Sequence, residues 1–136
     1  YTSEGICVID LDTCMPGCAL YDFGDMVRSA TNSTIEDDPD ASHVHCQREI
    51  FEALARGYLE TADFLTPAER ANLILGGKLM TFECGMRFLT DYLQGDVYFK
   101  THREGHNRDR CRTQFALVKS IEDQNDGLQK FLDGLG

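Results

Sequence analysis

The sequence predicts a mainly α-helical domain that begins with a short β-strand or hairpin. Three observations predict this class: an apolar, β-branched run near the N-terminus, a helix-start signal at residues 66–69, and apolar residues at helical spacing through most of the remainder. At 136 residues the chain is long enough to bury one hydrophobic core and too short for more than one domain.

The predicted strand covers residues 6–11, ICVIDL, because a short apolar run preceded by turn-forming residues is typical of a buried strand. Pro16 and Gly17 then interrupt regular structure. The chain has no initiator methionine, and Tyr1 to Gly5, YTSEG, reads as the turn of a hairpin. We therefore expect a fragment with two parts, a strand region over 5–12 and a helical subdomain over 22–136.

The helical subdomain is predicted to begin at Asp22, whose carboxylate can cap a helix over 23–30. The acidic stretch 31–40 reads as an exposed loop, and the apolar spacing over 41–60 predicts an amphipathic helix. A last helical region is predicted from about Asn107 onward.

The clearest helix start is Thr66-Pro67-Ala68-Glu69, which has the composition of a capping box with proline at the first helical position. A long helix is predicted from there to about Gly95. Three glycines inside it indicate close packing against a neighbouring element, or a kink, since glycine destabilises a helix interior. The apolar stripe of this helix is expected to face the core, and it consists of Leu75, Leu79, Phe82, Met86, Leu89 and Leu93.

The net charge is −10, from 13 basic and 23 acidic residues, and this makes nucleic acid an unexpected partner. The sequence has neither a signal peptide nor an apolar run that could span a bilayer, so a cytoplasmic protein without membrane contact is predicted. The six cysteines are expected to be reduced, because four of them lie in apolar or amphipathic runs. Cys14 and Cys18 form a CxxxC, whose spacing disfavours structural zinc.

Basic residues are concentrated in one segment, which reads either as a solvated helix start or as a positive patch for an anionic ligand. The segment contains Lys100, His102, Arg103, His106, Arg108, Arg110 and Arg112.

Asp10 and Asp12 lie at the end of the predicted strand, where alternation would turn both side chains to the same side. Two carboxylates that emerge together form a hard-oxygen site suited to Mg²⁺. The alternative is a solvated strand end with turn-forming aspartates.

The stretch VIDLDTCMPGCALYDFGDMVRSA resembles the aminoglycoside phosphotransferase and choline kinase family, which shares the protein-kinase C-lobe. The resemblance implies that Asp10 holds Mg²⁺ on the phosphates of ATP, that Asp12 is a second contact, and that Asp22 braces the catalytic loop.

A closer resemblance is to bacterial N-acetylhexosamine 1-kinases, some relatives of which are labelled mucin desulfatase. It rests on IDLDTCMPGCALYDFGD and LMTFECGMRFLTDYLQGDVYFKTHREGHNRDRCRTQF. The resemblance implies that Arg87 and Tyr98 contact the sugar. Structural alternatives stay open: Arg87 could belong to a surface ladder with Glu83 and Asp91, and Tyr98 could be a core aromatic.

The catalytic loop of this family, H-x-D-x-x-x-x-N, supplies the base that accepts the hydroxyl proton. Residues 1–136 contain neither this loop nor the N-lobe motifs, and the resemblance implies that the base lies just upstream of Tyr1. We therefore assign no catalytic residue within the fragment and expect it to be inactive. We also expect it to form a homo-oligomer through the strand edge.

Two rival functions are a haloacid-dehalogenase-type phosphatase, suggested by Asp10-Leu11-Asp12-Thr13, and a non-catalytic helical interaction domain or pseudokinase. A sulfatase has no support, because no C-x-P-x-R segment is present.

Overall fold

The computed structural model describes residues 9–12 and 14–135, and this part of the chain is mainly α-helical, as predicted. The elements are α1 (Ala19–Ala30), a 3₁₀ turn (Ala41–His43), α2 (Arg48–Thr61), α3 (Pro67–Ala71), α4 (Leu73–Leu93), α5 (His106–Asp123) and α6 (Asn125–Asp133). None of the helices in these residues is long and apolar enough to cross a bilayer.

The predicted strand is not confirmed. The turn expected from Tyr1 to Gly5 and residues 6–8 of the strand lie outside the described part, and residues 9–11 have no strand structure. Ile9 and Leu11 are 78% and 58% exposed, so neither side chain is buried as expected.

The β-pairing in the described residues is a single bridge between Asn32 and Cys46. A haloacid-dehalogenase-type phosphatase requires a doubly wound sheet, and such a sheet is absent from this part of the chain.

Two helix starts differ from prediction. Helix α1 begins at Ala19, so the exposed Asp22 lies in its first turn and does not cap it. Helix α2 begins at Arg48, because the preceding residues pair with the end of α1: Cys46 forms the bridge with Asn32, and the Gln47 backbone N–H donates to the Thr31 carbonyl at 2.9 Å. Asp40 caps a separate 3₁₀ turn by accepting the backbone N–H of Ser42 at 3.0 Å.

The capping box is confirmed. The Thr66 hydroxyl accepts the backbone N–H of Glu69 at 3.2 Å, and the Glu69 carboxylate accepts the backbone N–H of Thr66 at 2.8 Å. The helix it starts is short, however, because α3 ends at Ala71 and Asn72 separates it from α4.

The predicted core-facing stripe of α4 is on the opposite side of the helix. The side that packs against α1 and α5 carries the glycines, and a Cβ added to Gly76 would lie 2.5 Å from the Leu20 carbonyl oxygen. Gly77 faces Val27 and Gly85 faces Phe115 in the same way, so the expectation of close packing is confirmed. Most of the stripe is exposed: Leu75 (51%), Leu79 (45%), Phe82 (48%), Met86 (40%) and Leu93 (74%).

The core lies among α1, α2, α5, α6 and the first turn of α4, where Leu73 and Ile74 are buried. Phe23 of α1 is fully buried and its ring meets Phe51 edge-on, with ring centroids 6.0 Å apart. Leu117 and Ile121 of α5, and Leu128 of α6, are also fully buried in this cluster. Burying a side chain of this size stabilises a fold by about 1.5–3 kcal/mol.

Candidate functional site

The site begins where α4 ends. Gly95 has φ +92°, a left-handed conformation that favours glycine. Its backbone N–H donates to the Tyr92 carbonyl at 3.2 Å, and the Asp96 N–H donates to the Asp91 carbonyl at 2.8 Å. These two bonds form a Schellman motif, which ends the helix close to the predicted position and turns the chain back along α4.

The side chain of Asp91 then holds the returning chain. Its Oδ1 accepts the backbone N–H groups of Val97 (2.9 Å) and Tyr98 (2.7 Å), and its Oδ2 accepts that of Phe99 (2.9 Å). Asn107 of α5 donates its Nδ2 to the same Oδ2 at 2.8 Å. One buried carboxylate therefore joins α4, the following loop and the start of α5.

The surface ladder suggested for this helix is only half formed. Arg87 Nε lies 3.8 Å from the Glu83 carboxylate, whereas Asp91 is 3% exposed and is used by the loop. Burial acts to raise the pKa of Asp91, but the N–H donors of Phe99, Tyr98 and Val97, together with Asn107, outweigh it and hold the pKa below its ordinary value. The carboxylate is thus kept ionised.

Arg87 and Tyr98, which the resemblance implicates in sugar contact, lie together on one cleft. The Arg87 guanidinium carbon is 5.9 Å from the Tyr98 ring centroid and 5.4 Å from that of Phe99, both within cation–π range. Tyr98 is 73% exposed, which excludes its alternative reading as a core aromatic. The cleft has a volume of about 560 Å³ and is lined by Glu83, Met86, Arg87, Thr90, Asp91, Gln94, Tyr98 and Phe99.

The chemistry of this lining suits a small polar molecule with an apolar face. Two aromatic rings and Met86 offer apolar surface, while Arg87, Glu83 and Gln94 offer hydrogen-bond donors and acceptors. The Phe99 ring packs against the buried Phe88 ring, with ring centroids 4.8 Å apart. The aromatic wall of the cleft, Tyr98 and Phe99, is therefore held both by the Asp91 carboxylate at its backbone and by the Phe88 ring.

Asp10 and Asp12 are both exposed and are not among the residues that line this cleft. Asp10 has φ 65°, a left-handed conformation, so the strand alternation that was expected to align the two side chains does not apply. In the described residues no three metal-ligating side chains lie together. Mg²⁺ is commonly held by one or two carboxylates together with substrate phosphates and water, and the metal role of Asp10 and Asp12 stays a prediction.

Asp22 contributes to a second depression of about 580 Å³, on the α1 side, with Tyr21, Phe64 and Glu69. Burial raises the pKa of the Tyr58 hydroxyl, and the negative charges of Asp22 and Glu69 add to this. The role expected for Asp22, bracing a catalytic loop, stays a prediction.

The catalytic base of that loop is expected upstream of Tyr1. Tyr1 itself lies outside the residues that the structure describes, and the position of the base stays a prediction. No side chain of the cleft is assigned the transfer of the hydroxyl proton.

The basic segment faces protein carboxylates. Arg103 pairs with Asp109, and its Nη2 donates to the Asp37 carbonyl at 2.6 Å. His106 accepts the His102 backbone N–H at Nδ1 (3.1 Å), which leaves Nε2 to donate to the Asp37 carboxylate at 3.0 Å.

The segment 31–40 is therefore not a purely exposed loop. Arg110 Nε lies 3.5 Å from the Glu36 carboxylate, and the Thr113 hydroxyl donates to the Glu36 carbonyl. Arg28 of α1 also reaches Glu36, at 3.3 Å. The carboxylates of residues 31–40 therefore occupy the place that the sequence analysis gave to an anionic ligand. Several of the basic side chains are neutralised by these carboxylates within the chain.

The cysteines that the structure describes are all free thiols. Cys46 and Cys111 are buried, and burial raises the pKa of both thiols. Cys7 lies outside the described residues. The zinc reading of Cys14 and Cys18 gains no third ligand among the described side chains.

Sequence reasoning missed Asp91, Phe99 and Asn107 as parts of the site. The sequence signal that could have indicated them is Gly95-Asp96 directly after a long helix, which is typical of a chain reversal. After such a reversal the next backbone N–H groups need a hydrogen-bond acceptor. The sequence matches no model of a known protein family.

Proposed function

We propose that this chain is the C-terminal part of a protein-kinase-like C-lobe in an ATP-dependent phosphotransferase. The acceptor in this proposal is the anomeric hydroxyl of an N-acetylhexosamine or a related sugar. The observation that supports it is the common cleft of Arg87 and Tyr98, the two residues that the family resemblance implicates in sugar contact. The mainly helical architecture is consistent with such a lobe.

The cleft residues have distinct roles in the proposal. The exposed Tyr98 ring offers its face to the apolar side of a sugar ring. Arg87, half exposed and anchored at 3.8 Å to Glu83, donates N–H groups to sugar oxygens. Asp91 does not touch the sugar, because its oxygens are already used by the loop amides and Asn107. Its role is to keep the aromatic wall in position before the sugar arrives.

Asp10 and Asp12 are proposed to hold Mg²⁺, with Asp10 as the main ligand. When bound, this ion would neutralise charge on the phosphates of ATP. The exposure of both carboxylates leaves them accessible to a nucleotide. We expect residues 1–136 to bind sugar without phosphorylating it, because the sequence contains no H-x-D-x-x-x-x-N segment to supply the base.

The proposal is tested by titrating residues 1–136 with N-acetylglucosamine, choline and an aminoglycoside while NMR signals of Arg87 and residues 97–99 are observed. We expect shifts at these positions with the sugar, and at least about tenfold weaker binding for Tyr98→Ala, a loss of about 1.4 kcal/mol. Tyr21→Ala is the matched control, since Tyr21 is an exposed tyrosine outside the cleft. Shifts only with choline or the aminoglycoside, or equal effects of the two variants, would contradict the assignment.

A further inference from the structure

The outer face of α4 is a regular apolar stripe that the described helices leave largely exposed, although Phe82 lies beside the Phe115 ring of α5, with ring centroids 5.7 Å apart. Its residues Leu75, Leu79, Phe82, Met86, Leu89 and Leu93 recur at spacings of four, three, four, three and four. This is a heptad pattern, with Leu79, Met86 and Leu93 at position a and Leu75, Phe82 and Leu89 at position d. Three a positions and three d positions fall on the 21 residues of α4.

The helices that pack on α4 leave this stripe open. Helix α1 contacts α4 at the face of Gly76 and Gly77, and α5 contacts it at the face of Gly85. The a position Leu79 is 45% exposed and the d position Phe82 is 48% exposed. Apolar surface at both positions of the repeat is what a second helix needs in order to pack knobs into holes.

The charges beside the stripe select the occupant. In the same register Lys78 is at position g and Glu83 at position e, five residues further on. In a parallel pair of identical helices, position g of one helix faces position e of the following heptad in the other. Lys78 of each copy would then lie beside Glu83 of the other, so the face is complementary to itself. A negatively charged membrane is disfavoured as the occupant by the net charge of −10.

We propose that this chain pairs with a second copy of itself through the outer face of α4, as a parallel two-stranded coiled coil. The pairing face includes Glu83 and Met86, which also line the sugar cleft, so pairing through this face and sugar binding at the cleft would compete. The proposal replaces the strand edge over residues 6–11 as the route to self-association with a helical surface that the structure describes. About three heptads form a small interface, so a reversible dimer is expected.

The first test is sedimentation equilibrium of residues 1–136 from about 5 to about 200 µM at about 0.15 M salt, where long-range repulsion is screened. We expect a monomer–dimer equilibrium, and at least about a tenfold rise in the dimer Kd for Leu79→Glu. Ile50→Glu on α2 is the control, because Ile50 is similarly exposed at 41%. A monomer at every concentration, or equal effects of the two variants, would overturn the proposal.

The second test is a charge exchange, which also separates specific pairing from general stickiness of the apolar face. Lys78→Glu and Glu83→Lys should each weaken the dimer, because each places like charges opposite one another across the pair. The double variant K78E/E83K should restore the Kd to within about threefold of the original, since it only reverses both charges. Circular dichroism of each variant checks that the monomer stays folded. Failure of the double variant to recover dimerisation would overturn the parallel arrangement.

Discussion

The two faces of α4 differ in composition and in what they contact. The inner face is lined by Gly76, Gly77 and Gly85 and lies against α1 and α5, whereas the outer face carries large apolar side chains that are mostly exposed. A hydrophobic stripe normally marks the buried side of a helix. In α4 the buried side is instead the one that carries glycines, because small residues let two helix backbones approach closely where large residues would keep them apart.

The largest effect is expected from Gly24→Ala at the contact between α1 and α4. A Cβ at Gly24 would lie 2.3 Å from the Gly76 carbonyl oxygen and 2.7 Å from its carbonyl carbon. These are backbone atoms that cannot move aside, so the free energy of unfolding should fall by about 3 kcal/mol. Urea denaturation measures it. The control Gly57→Ala, in α2, meets nothing within 4 Å and should raise stability by about 0.5–1 kcal/mol.

The next effect concerns Asp91, which is also buried on the inner side of α4. Asp91→Asn replaces one accepting oxygen by an NH₂ group, which cannot accept the N–H groups it would face at residues 97–99. We expect the Tm to fall by about 5–10 °C and those amides to lose protection from hydrogen exchange. The exposed Asp63→Asn is the control and should leave both quantities unchanged.

The difference in Tm between the original chain and Asp91→Asn should depend on pH. The folded pKa of Asp91 lies below the ordinary value of 3.8, so its stabilising contribution is present above the unfolded pKa and is lost as pH falls through the folded pKa. The difference should be constant from about pH 5 to about pH 7 and shrink below about pH 4. A difference that grows on acidification would contradict the assignment.

A moderate effect is expected for Gly85→Ala, at the contact between α4 and α5. Its Cβ would lie 2.8 Å from Cε1 of Phe115, which is a side-chain atom on a half-buried ring. The ring can tilt away, so the loss of unfolding free energy should be about 1–2 kcal/mol, smaller than for Gly24→Ala. Equal losses of unfolding free energy for the two variants would contradict the expectation that a clash with a side chain is relieved more easily than a clash with backbone atoms.

The smallest effect is expected on the outer face. Leu75 is 51% exposed, so Leu75→Ala should change the free energy of unfolding by no more than about 0.5 kcal/mol when it is measured on the monomer at low concentration. A loss of about 2 kcal/mol or more would mean that the stripe is covered within the chain, in conflict with an open outer face.

Local signals in the sequence predicted local structure well. The Thr66 capping box and the end of α4 near Gly95 are confirmed, because each depends on hydrogen bonds between residues a few positions apart. The close packing of Gly76 could also be predicted, since an unfavourable residue in a helix interior requires a compensating contact.

What could not be predicted depends on contacts distant in sequence. Asp37 lies opposite Arg103 and His106, and no local pattern links an acidic loop to a basic helix start so far along the chain. The prediction that the apolar stripe of α4 faces the core was wrong for the same reason. Periodicity shows which residues share a face of the helix, but it does not show which elements pack against that face. For the candidate site, the juxtaposition of Arg87 and Tyr98 followed from the family resemblance, and the Asp91 anchor was missed.

The Asp91 anchor also has a consequence for folding kinetics. The cleft walls at Arg87 and Phe99 are separated by only a short stretch of chain, so closing the loop between them carries a small entropic penalty. Contacts of such low contact order form readily once the supporting helix exists. In pulse-labelling hydrogen exchange, the amides of residues 97–99 should therefore gain protection together with the last turns of α4, ahead of the long-range pairing between Asp37 and Arg103.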